Sequence, residues 1–300
     1  MDRLDAMSVL LSVADRGSFS AASRALGMPL ATVSRKVNEL ERHLGTRLLV
    51  RTTRKVALTD IGAQYVAAAR RILDDIDETE RLAAGEFHAP RGELVMTAPV
   101  LFGRLHILPI VADFLADYPE INIRLMLSDK NLHLVDEHVD MAVRIGPLRD
   151  SSMVASRVGS MRTVVCASPK LLAAHGEPKS PEALADLPCV SFEPFSPVSA
   201  WSFRATDKHT IDVPVRARLA VTTAEAAVSA AIQAVGVTRL LHYQCADPAR
   251  EGLLRIILAK YEIAPLPVHL LHASQGALPN KMRVFLDFAA DRLRTRLKSL

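Results

Sequence analysis

The sequence predicts an α/β protein in two parts, a helical front closed by a β-ribbon and a longer back of alternating strands and helices. Three observations predict it. Apolar residues recur at helical spacing between Leu4 and Leu44. "RLLVRTTRKVAL", Arg47–Leu58, is β-prone at both ends with a basic, threonine-rich middle. From Leu94 onward, short apolar β-runs alternate with helical stretches. A chain of 300 residues is long enough for about two cores.

In the first helix Leu4, Met7, Leu10, Leu11 and Ala14 form an apolar stripe. Ser20 is the expected N-cap of a short second helix through Leu26, which Gly27 breaks. Pro29 suits the first turn of a third helix, where a missing N–H is harmless. Val33, Val37, Leu40 and Leu44 follow one helical face and are expected inside, and Gly45 stops the helix. Thr32, Ser34, Arg35, Lys36 and Asn38 are left on the open side, with Leu30 at the tip.

Two helices joined by a tight glycine-containing turn form a helix-turn-helix, whose second helix enters the major groove. Thr32, Ser34 and Arg35 would present donors and acceptors near the helix N-terminus, where the macrodipole also favours a phosphate. Net charge is only +4, yet seven cations face two carboxylates between residues 35 and 55, a phosphate-facing patch. Spacing and charge alone equally describe a helix that merely packs and a solvated basic face.

Thr59 caps a long helix reaching about Ala84. Ile61, Tyr65, Ala68, Ile72, Ile76, Thr79 and Leu82 make a near-heptad seam on it, so narrow that it calls for a partner helix and hence dimerisation. "GEFHAPRGE", Gly85–Glu93, reads as a linker. Beyond it, "ELVMTAP" is followed by a helix through Phe114 to Tyr118, and "INIRLMLS" by "KNLHLVDEHV" and then "DMAVRIG". "RTVVCAS" precedes "PKLLAAHG", "RARLAVTT" precedes "AEAAVSAAIQAVG", and "VHLLHAS" precedes a closing helix Asn280–Lys298. This alternation implies largely parallel sheets, with a ligand in the cleft between two of them, near strand carboxyl ends and helix N-termini.

Several chemistries find no support. Hydrophobic content of 49% with 23% charged residues describes a globular chain, and no apolar run approaches the roughly 18 residues of a membrane span. The N-terminus lacks the build of a secretion signal, and three cysteines suit a reducing compartment, so a cytoplasmic location is expected. Phosphate-binding glycine loop, nucleophile-elbow serine and HExxH helix are all missing, so neither catalysis nor a cofactor is expected. His269 and His272 fall in an apparent strand, where i and i+3 face opposite ways, and His242-x-x-Cys245 lacks further ligands, so no metal is expected. Cys166 reads as a small buried hydrophobe. Redox sensing through Cys189 or Cys245 would show as a disulfide under peroxide and would fall if cysteine-to-serine variants bound DNA unaltered.

Over its whole length the chain resembles the LysR-type transcriptional regulators. "GSFSAASRALG" and "ATVSRKVNELERHLGTRLLVRTTRKVALTDIG" resemble that family's winged helix-turn-helix. "GELVMTAP", "FLADYPEINIRL", "VDMAVRIG", "VVCASPKLLAAHGEP", Leu184–Cys189 and "RVFLDFAADRL" resemble its effector domain in the right order. "TVSR", "RTTR" and their spacing are similar to the CrgA-like subgroup. The resemblance implies a winged helix-turn-helix at 1–59, a dimerising linker helix and hinge at 60–91, and a periplasmic-binding-protein-like (type 2) domain of two α/β lobes at 92–300. Lobe one would comprise 92–162 and 267–300 and lobe two 163–266, with crossings near Ser160–Thr163 and Ala264–Val268.

Carried over by motif, Ala31, Thr32, Ser34, Arg35 and Asn38 fall on the DNA-contacting part of the reading helix. Arg51, Thr52, Thr53 and Arg54 fall on the wing, while Ser20 and Ala21 begin the second helix close to DNA. Leu30 stands where many members carry a glutamine, and offers only an apolar contact such as to a thymine methyl. The effector cleft would draw on Thr97, Ala98, Pro99, Val100 and Phe102, then Ser128, Arg144 and Gly146, and from lobe two Phe203, Thr222 and Thr223. Hydroxyls beside helix N-termini would suit a small carboxylate, although Thr97 and Thr222 would equally serve as helix caps and Arg144 as a surface arginine. Implied partners are double-stranded DNA bearing an interrupted inverted repeat, a small effector, and further copies of the chain as a homodimer and homotetramer, and the reading admits RNA polymerase. Two rivals remain at this point: a DNA-binding regulator without ligand, set by its abundance, and a binding protein or enzyme sharing only the two-lobed fold.

Overall fold

Helical spacing at the front is satisfied by a small three-helix core. The computed structural model describes residues 2–51, 56–83, 89–129, 139–148, 153–192, 200–205, 209–273 and 278–298. The chain divides into two units, Met1–Ala89 and Pro90–Leu300. The first contains α1 (Arg3–Arg16), α2 (Phe19–Leu26), α3 (Leu30–Leu44), β1 (Leu49–Arg51), β2 (Val56–Leu58) and α4 (Asp60–Ala83). Ala6, Val9, Leu10 and Val13 of α1 meet Ala22 of α2 and Val33, Val37 and Leu40 of α3, with Leu48, Leu49 and Val66 closing the cluster.

Three details depart from the expected pattern. Leu4 and Leu44 are exposed, because each sits in a terminal turn of its helix beyond the edge of this core. In α1 Leu10 is buried as expected, with Leu11 and Ala14 packed against the core, but the rest of the buried stripe runs through Ala6, Val9 and Val13. The N-cap of α2 is Ser18, not Ser20: its hydroxyl accepts the Ala21 N–H at 3.3 Å, and Ser20 already lies in the first turn. Gly27 ends α2 with φ 62°, the left-handed turn that redirects the chain into α3. The Ser23 hydroxyl holds that turn by donating to the Met28 carbonyl at 2.6 Å.

Side-chain acceptors anchor the β-ribbon and the long helix. Glu41 Oε1 accepts the N–H groups of Leu48 and Leu49 at 2.8 and 3.0 Å, tying the ribbon to the end of α3. Thr59 caps α4 as expected, accepting the Gly62 N–H at 2.8 Å. α4 packs on α1 through Val66 and Ala69, yet leaves Ile61 and Ile72 of its seam 54% and 43% exposed.

The second unit contains two mixed sheets. Its first strands are β3 (Gly92–Ala98), β4 (Ile121–Leu127), β5 (Met141–Ile145) and β6 (Met153–Met161). Between β3 and β4, α5 (Val100–Phe102) runs through a π-helical turn at Gly103–Ile107 into α6 (Leu108–Asp117), which passes through Phe114 and ends with its C-cap at Tyr118, as expected. The "KNLHLVDEHV" stretch falls outside the described residues apart from Val139. The chain then passes through Arg162 to β7 (Thr163–Ala167), α7 (Pro169–His175), β8 (Cys189–Phe192) and the hairpin of β9 (Ala200–Arg204) and β10 (Thr210–Pro214). β11 (Ala217–Val221), α8 (Ala224–Ile232), β12 (Val237–Leu241), α9 (His242–Arg250) and β13 (Arg255–Ile257) follow, before β14 (Leu266–Ala273) and α10 (Asn280–Lys298).

β14 rejoins the first sheet, whose order is β4-β3-β5-β14-β6, while the second runs β11-β8-β12-β7-β13. The expectation of largely parallel sheets is corrected. β3 is parallel to β4 and β5, but β14 lies antiparallel to both β5 and β6. In the second sheet β8 is parallel to β11 and β12, while β7 is antiparallel to β12 and β13. The reason is connectivity: β7 and β14, the first strands after each crossing between sheets, need no right-handed helical return and run opposite to their neighbours.

Gly62 gives this fold a sharp test. A Cβ there would stand 1.9 Å from the Leu48 carbonyl oxygen, a backbone atom pinned by the Thr59 N–H. Gly62→Ala is expected to destabilise the front unit by about 1–3 kcal/mol, read as an earlier unfolding transition in denaturant.

Candidate nucleic-acid interface and effector cleft

The buried stripe of α3 fixes which side chains face outward. Leu30 is 47% exposed, and Ala31, Arg35 and Asn38 are exposed beside it, with Thr32 and Ser34 half-buried. Pro29 occupies the N-cap and supplies no side-chain hydrogen bond, so α3 opens with its positive dipole end uncapped by any side chain. Ser20 is exposed and Ala21 half-buried in the first turn of α2. Arg35 forms an i,i+4 ion pair with Glu39 at 3.4 Å, a weak surface contact that leaves its guanidinium available. Lys36 departs from the open face: it pairs with Asp5 of α1 and serves the core edge. Of the wing set, Arg51 is described by its backbone in β1, while Thr52, Thr53 and Arg54 lie outside the described residues.

In the larger unit, loops after β3, β4 and β5 converge at one edge of the first sheet. The Ser128 N–H donates to the Ala98 carbonyl at 2.9 Å, and the Val100 N–H donates to Asp129 Oδ1 at 3.1 Å. Gly146, at φ 116°, donates its N–H to the Pro267 carbonyl at 2.8 Å, linking the end of β5 to the start of β14. Burial, and secondarily the Glu225 charge, raise the Asp129 carboxyl above its ordinary pKa despite the opposing Val100 hydrogen bond.

Phe102 carries this edge across to the second sheet. Its ring meets Tyr243 of α9 edge-on at 5.4 Å and His106 at 4.8 Å. Arg104 reaches Glu225 of α8 at 3.9 Å. Thr222 and Thr223 therefore stand at the start of a helix that the first lobe touches, and Thr223 is the cap, its hydroxyl accepting the Ala226 N–H at 3.3 Å. Thr222 is exposed and caps nothing. Nor does Thr97 cap a helix: it is fully buried, and its Oγ1 finds no hydrogen-bond partner among the described residues. Arg144 is no surface arginine either. Burial lowers its pKa, and Nη2 is buried without a partner among the described residues while Nη1 donates to the Val143 carbonyl.

Phe203 is placed apart from Phe102. It lies in a separate apolar cluster with Trp201 and Val213, and lines a small cavity with Thr163, Arg239 and Glu262. Sequence reasoning missed Asp129, His106, Tyr243 and Arg239. Only Asp129 carried a signal, its adjacency to Ser128, since the others become neighbours through tertiary packing.

The cysteines are all buried. Burial pushes Cys189 up to about 11, away from reactive thiolate. The neighbouring thiols of Cys166 and Cys245 act on each other, raising the pKa of the first and lowering that of the second, and the Cys245 thiol donates to the His242 carbonyl at 3.5 Å. The strand register places His269 and His272 of β14 on opposite faces, as the spacing predicts.

Comparison with known proteins settles the family. The model for the "Bacterial regulatory helix-turn-helix protein, lysR family" matches residues 4–63, and that for the "LysR substrate binding domain" matches residues 88–294. The chain is a LysR-type transcriptional regulator. It is 35% identical to an HTH-type transcriptional regulator of Xanthomonas campestris, over 95% of this chain and 84% of that protein. It is 34% identical to the transcriptional regulator CrgA of Neisseria meningitidis over 97% of both chains. The solved structure of CrgA, at 31% identity, matches with a TM-score of 0.62 over 96% of this chain and 98% of the other. The full-length structure of the Vibrio cholerae virulence activator AphB, at 26% identity, has a TM-score of 0.61 over 96% of this chain and 98% of the other. As a LysR-type regulator the chain binds DNA through its helix-turn-helix, carries an effector-binding domain and works as an oligomer, and its family consists of regulators, not enzymes.

His106 ties the pH response of this LysR-type effector domain to its core. Burial, helped by the Arg296 charge, lowers its pKa to about 4, and its Nε2 has no partner among the described residues. The folded state therefore refuses a proton that the unfolded chain accepts near pH 6.5, so stability falls as pH drops from there to about 4 and levels below. We expect a loss on the order of 2 kcal/mol between pH 7.5 and pH 5, and a flatter profile in His106→Leu, measured by denaturant unfolding at each pH.

Proposed function

We propose that residues 1–59 read an interrupted inverted repeat in double-stranded DNA, that 60–91 join two copies, and that 92–300 sense a small effector in the interlobe cleft. The exposed tip of α3 carries this reading: its inner stripe is consumed by the core, so Leu30, Ala31, Thr32, Ser34, Arg35 and Asn38 are the side chains left to meet base edges and phosphates. Leu30 offers a thymine methyl contact in place of a hydrogen bond, which shifts sequence preference at that step. Arg51, Thr52, Thr53 and Arg54 would touch backbone from the wing, and Ser20 and Ala21 would approach it from α2. Such a regulator acts where the chromosome is, in the cytoplasm, and meets RNA polymerase at the promoter.

In the same reading the exposed Ile61 and Ile72 of α4 form the seam of a homodimer, and two dimers form a tetramer. The cleft comprises Thr97, Ala98, Pro99, Val100, Phe102, Ser128, Arg144 and Gly146 of lobe one with Thr222 and Thr223 of lobe two, whereas Phe203, carried over by resemblance, belongs to a separate apolar cluster. An effector that prefers one lobe arrangement changes the spacing of the DNA-reading pairs and thereby promoter output. A footprint, DNA bend and transcript level indifferent to every bound ligand would refute this coupling and leave regulation to the abundance of the protein.

Two variant pairs test the assignments. Arg35→Ala is expected to weaken binding at the cognate site by about tenfold or more with little effect on other DNA, whereas Arg54→Ala weakens all DNA and lowers the salt slope by about one, both read from salt titrations. Equal behaviour of the two would refute the division. Ile72→Asp is expected to shift the protein toward monomer in sedimentation velocity without lowering its melting temperature, since Ile72 adds nothing to the core of its own chain.

A further inference from the structure

Besides His106 Nε2, which sits beside the Phe102 ring, lobe one holds three buried polar atoms with no hydrogen-bond partner among the described residues: Thr97 Oγ1, Arg144 Nη2 and His269 Nδ1. Strand register gathers them. Arg144 on β5 stands directly opposite His269 on β14, and His269 directly opposite Arg157 on β6. Directly opposed residues share a sheet face at about 5 Å spacing. Thr97 pairs with Ala142, two residues before Arg144, and so lies on the same face. A guanidinium, an imidazole and a second guanidinium thus cross three adjacent strands in one row, with a buried hydroxyl beside them.

Nothing among the described residues of these strands neutralises that row. Glu93 and Asp140 stand at the far end of the sheet, where Glu93 pairs with Arg124 at 3.1 Å and Asp140 accepts the Val95 N–H at 2.8 Å. The rest of the face is apolar, with Ala142, Leu271 and Val139 packed against Val95, Met126 and Met153. Burial first, and then the Arg157 charge, hold the His269 imidazole below its ordinary pKa, as unbalanced positive charge requires. A half-buried arginine with an unmet donor is stabilised most by an oxyanion, which its planar fork grips in bidentate fashion.

We propose that Thr97, Arg144, His269 and Arg157 form an anion seat within the effector cleft, taking a small oxyanion of two negative charges, a short dicarboxylate or a phosphate monoester. The proposal rests on the cleft reading above and adds the ligand class, together with His269 and Arg157. Arg144 and Arg157 would hold the charged oxygens from either end of the row. Thr97 would donate its hydroxyl from one side, and His269 would stand between the two guanidiniums.

The test is thermal melting of the full-length protein with succinate, inorganic phosphate or neutral succinamide, each against chloride at matched ionic strength. At least one dianion is expected to raise the melting midpoint and succinamide to leave it unchanged, with succinate alone marking a dicarboxylate seat and phosphate alone a phosphate seat. R144Q and R157Q should each weaken that response by about tenfold or more. R157Q keeps the test valid if R144Q unfolds, since Arg157 is exposed. A midpoint unmoved by either dianion overturns the proposal, as does an anion response unaltered in both arginine variants. In that last case V100W separates the two readings: loss of the response in V100W retains the cleft and rejects the seat, and a response intact in V100W rejects both.

Discussion

After β13 the chain leaves the second sheet of the larger unit and β14 enters the first between β5 and β6, and the architecture around the cleft depends on that insertion. It is the return leg of a chain that has already crossed once at Arg162, so it arrives antiparallel to β5 and β6 and converts a parallel sheet into a mixed one. Its register sets Val268 and Leu270 against the helix-covered core and Leu271 on the opposite face. By the same alternation His269 can only fall beside Arg144. A slip of one residue would turn the histidine into the core and bury His269 among phenylalanines and methionines. The hydrophobic pattern of one strand therefore determines both how the lobes are linked and which polar groups meet at the strand ends.

A comparable constraint rules the front unit on a smaller scale. α3 has little choice of orientation once Val33, Val37 and Leu40 are taken by α1 and α2. Glu41 then clamps the first residues of the ribbon, and Thr59 starts α4 against the same Leu48 carbonyl that excludes a side chain at position 62. Reading helix, ribbon and linker helix consequently share a few rigid contacts near Leu48. The exposed tip of α3 inherits its geometry from them, and on the proposed reading this is how its polar face would become a dependable DNA-reading surface.

Much of this was legible in the sequence, and the departures have physical reasons. Helices α1, α3, α4 and α10 follow from periodicity because each buries one stripe, and Thr59 and Gly27 act as their types imply. Leu4 and Leu44 mislead because periodicity says nothing about where a core ends, and Ser20 because Ser18 offers the same chemistry two residues earlier. Sheet direction is invisible to a pattern that sees alternation but not crossings. Around the cleft, Thr97 and Arg144 could be singled out only through the family resemblance. Asp129 had only its adjacency to Ser128 as a signal, and Tyr243 had none, since its partner Phe102 reaches it only after the chain has folded.

The distribution of unmet polar atoms carries the argument one step further. Buried hydroxyl, guanidinium and imidazole groups without partners are each destabilising by about 1–3 kcal/mol, so chance seldom leaves several together. Among the described residues, the unmet atoms of Thr97, Arg144 and His269 share one face of the first sheet, while those of His106, Thr163, Ser191 and Arg71 stand elsewhere. Such a pattern fits a protein whose apo state is held short of full satisfaction, so that binding supplies the missing hydrogen bonds. On the proposed reading, such unmet groups would give an effector its differential affinity for one lobe arrangement, and that difference is the quantity on which any change at the DNA would depend.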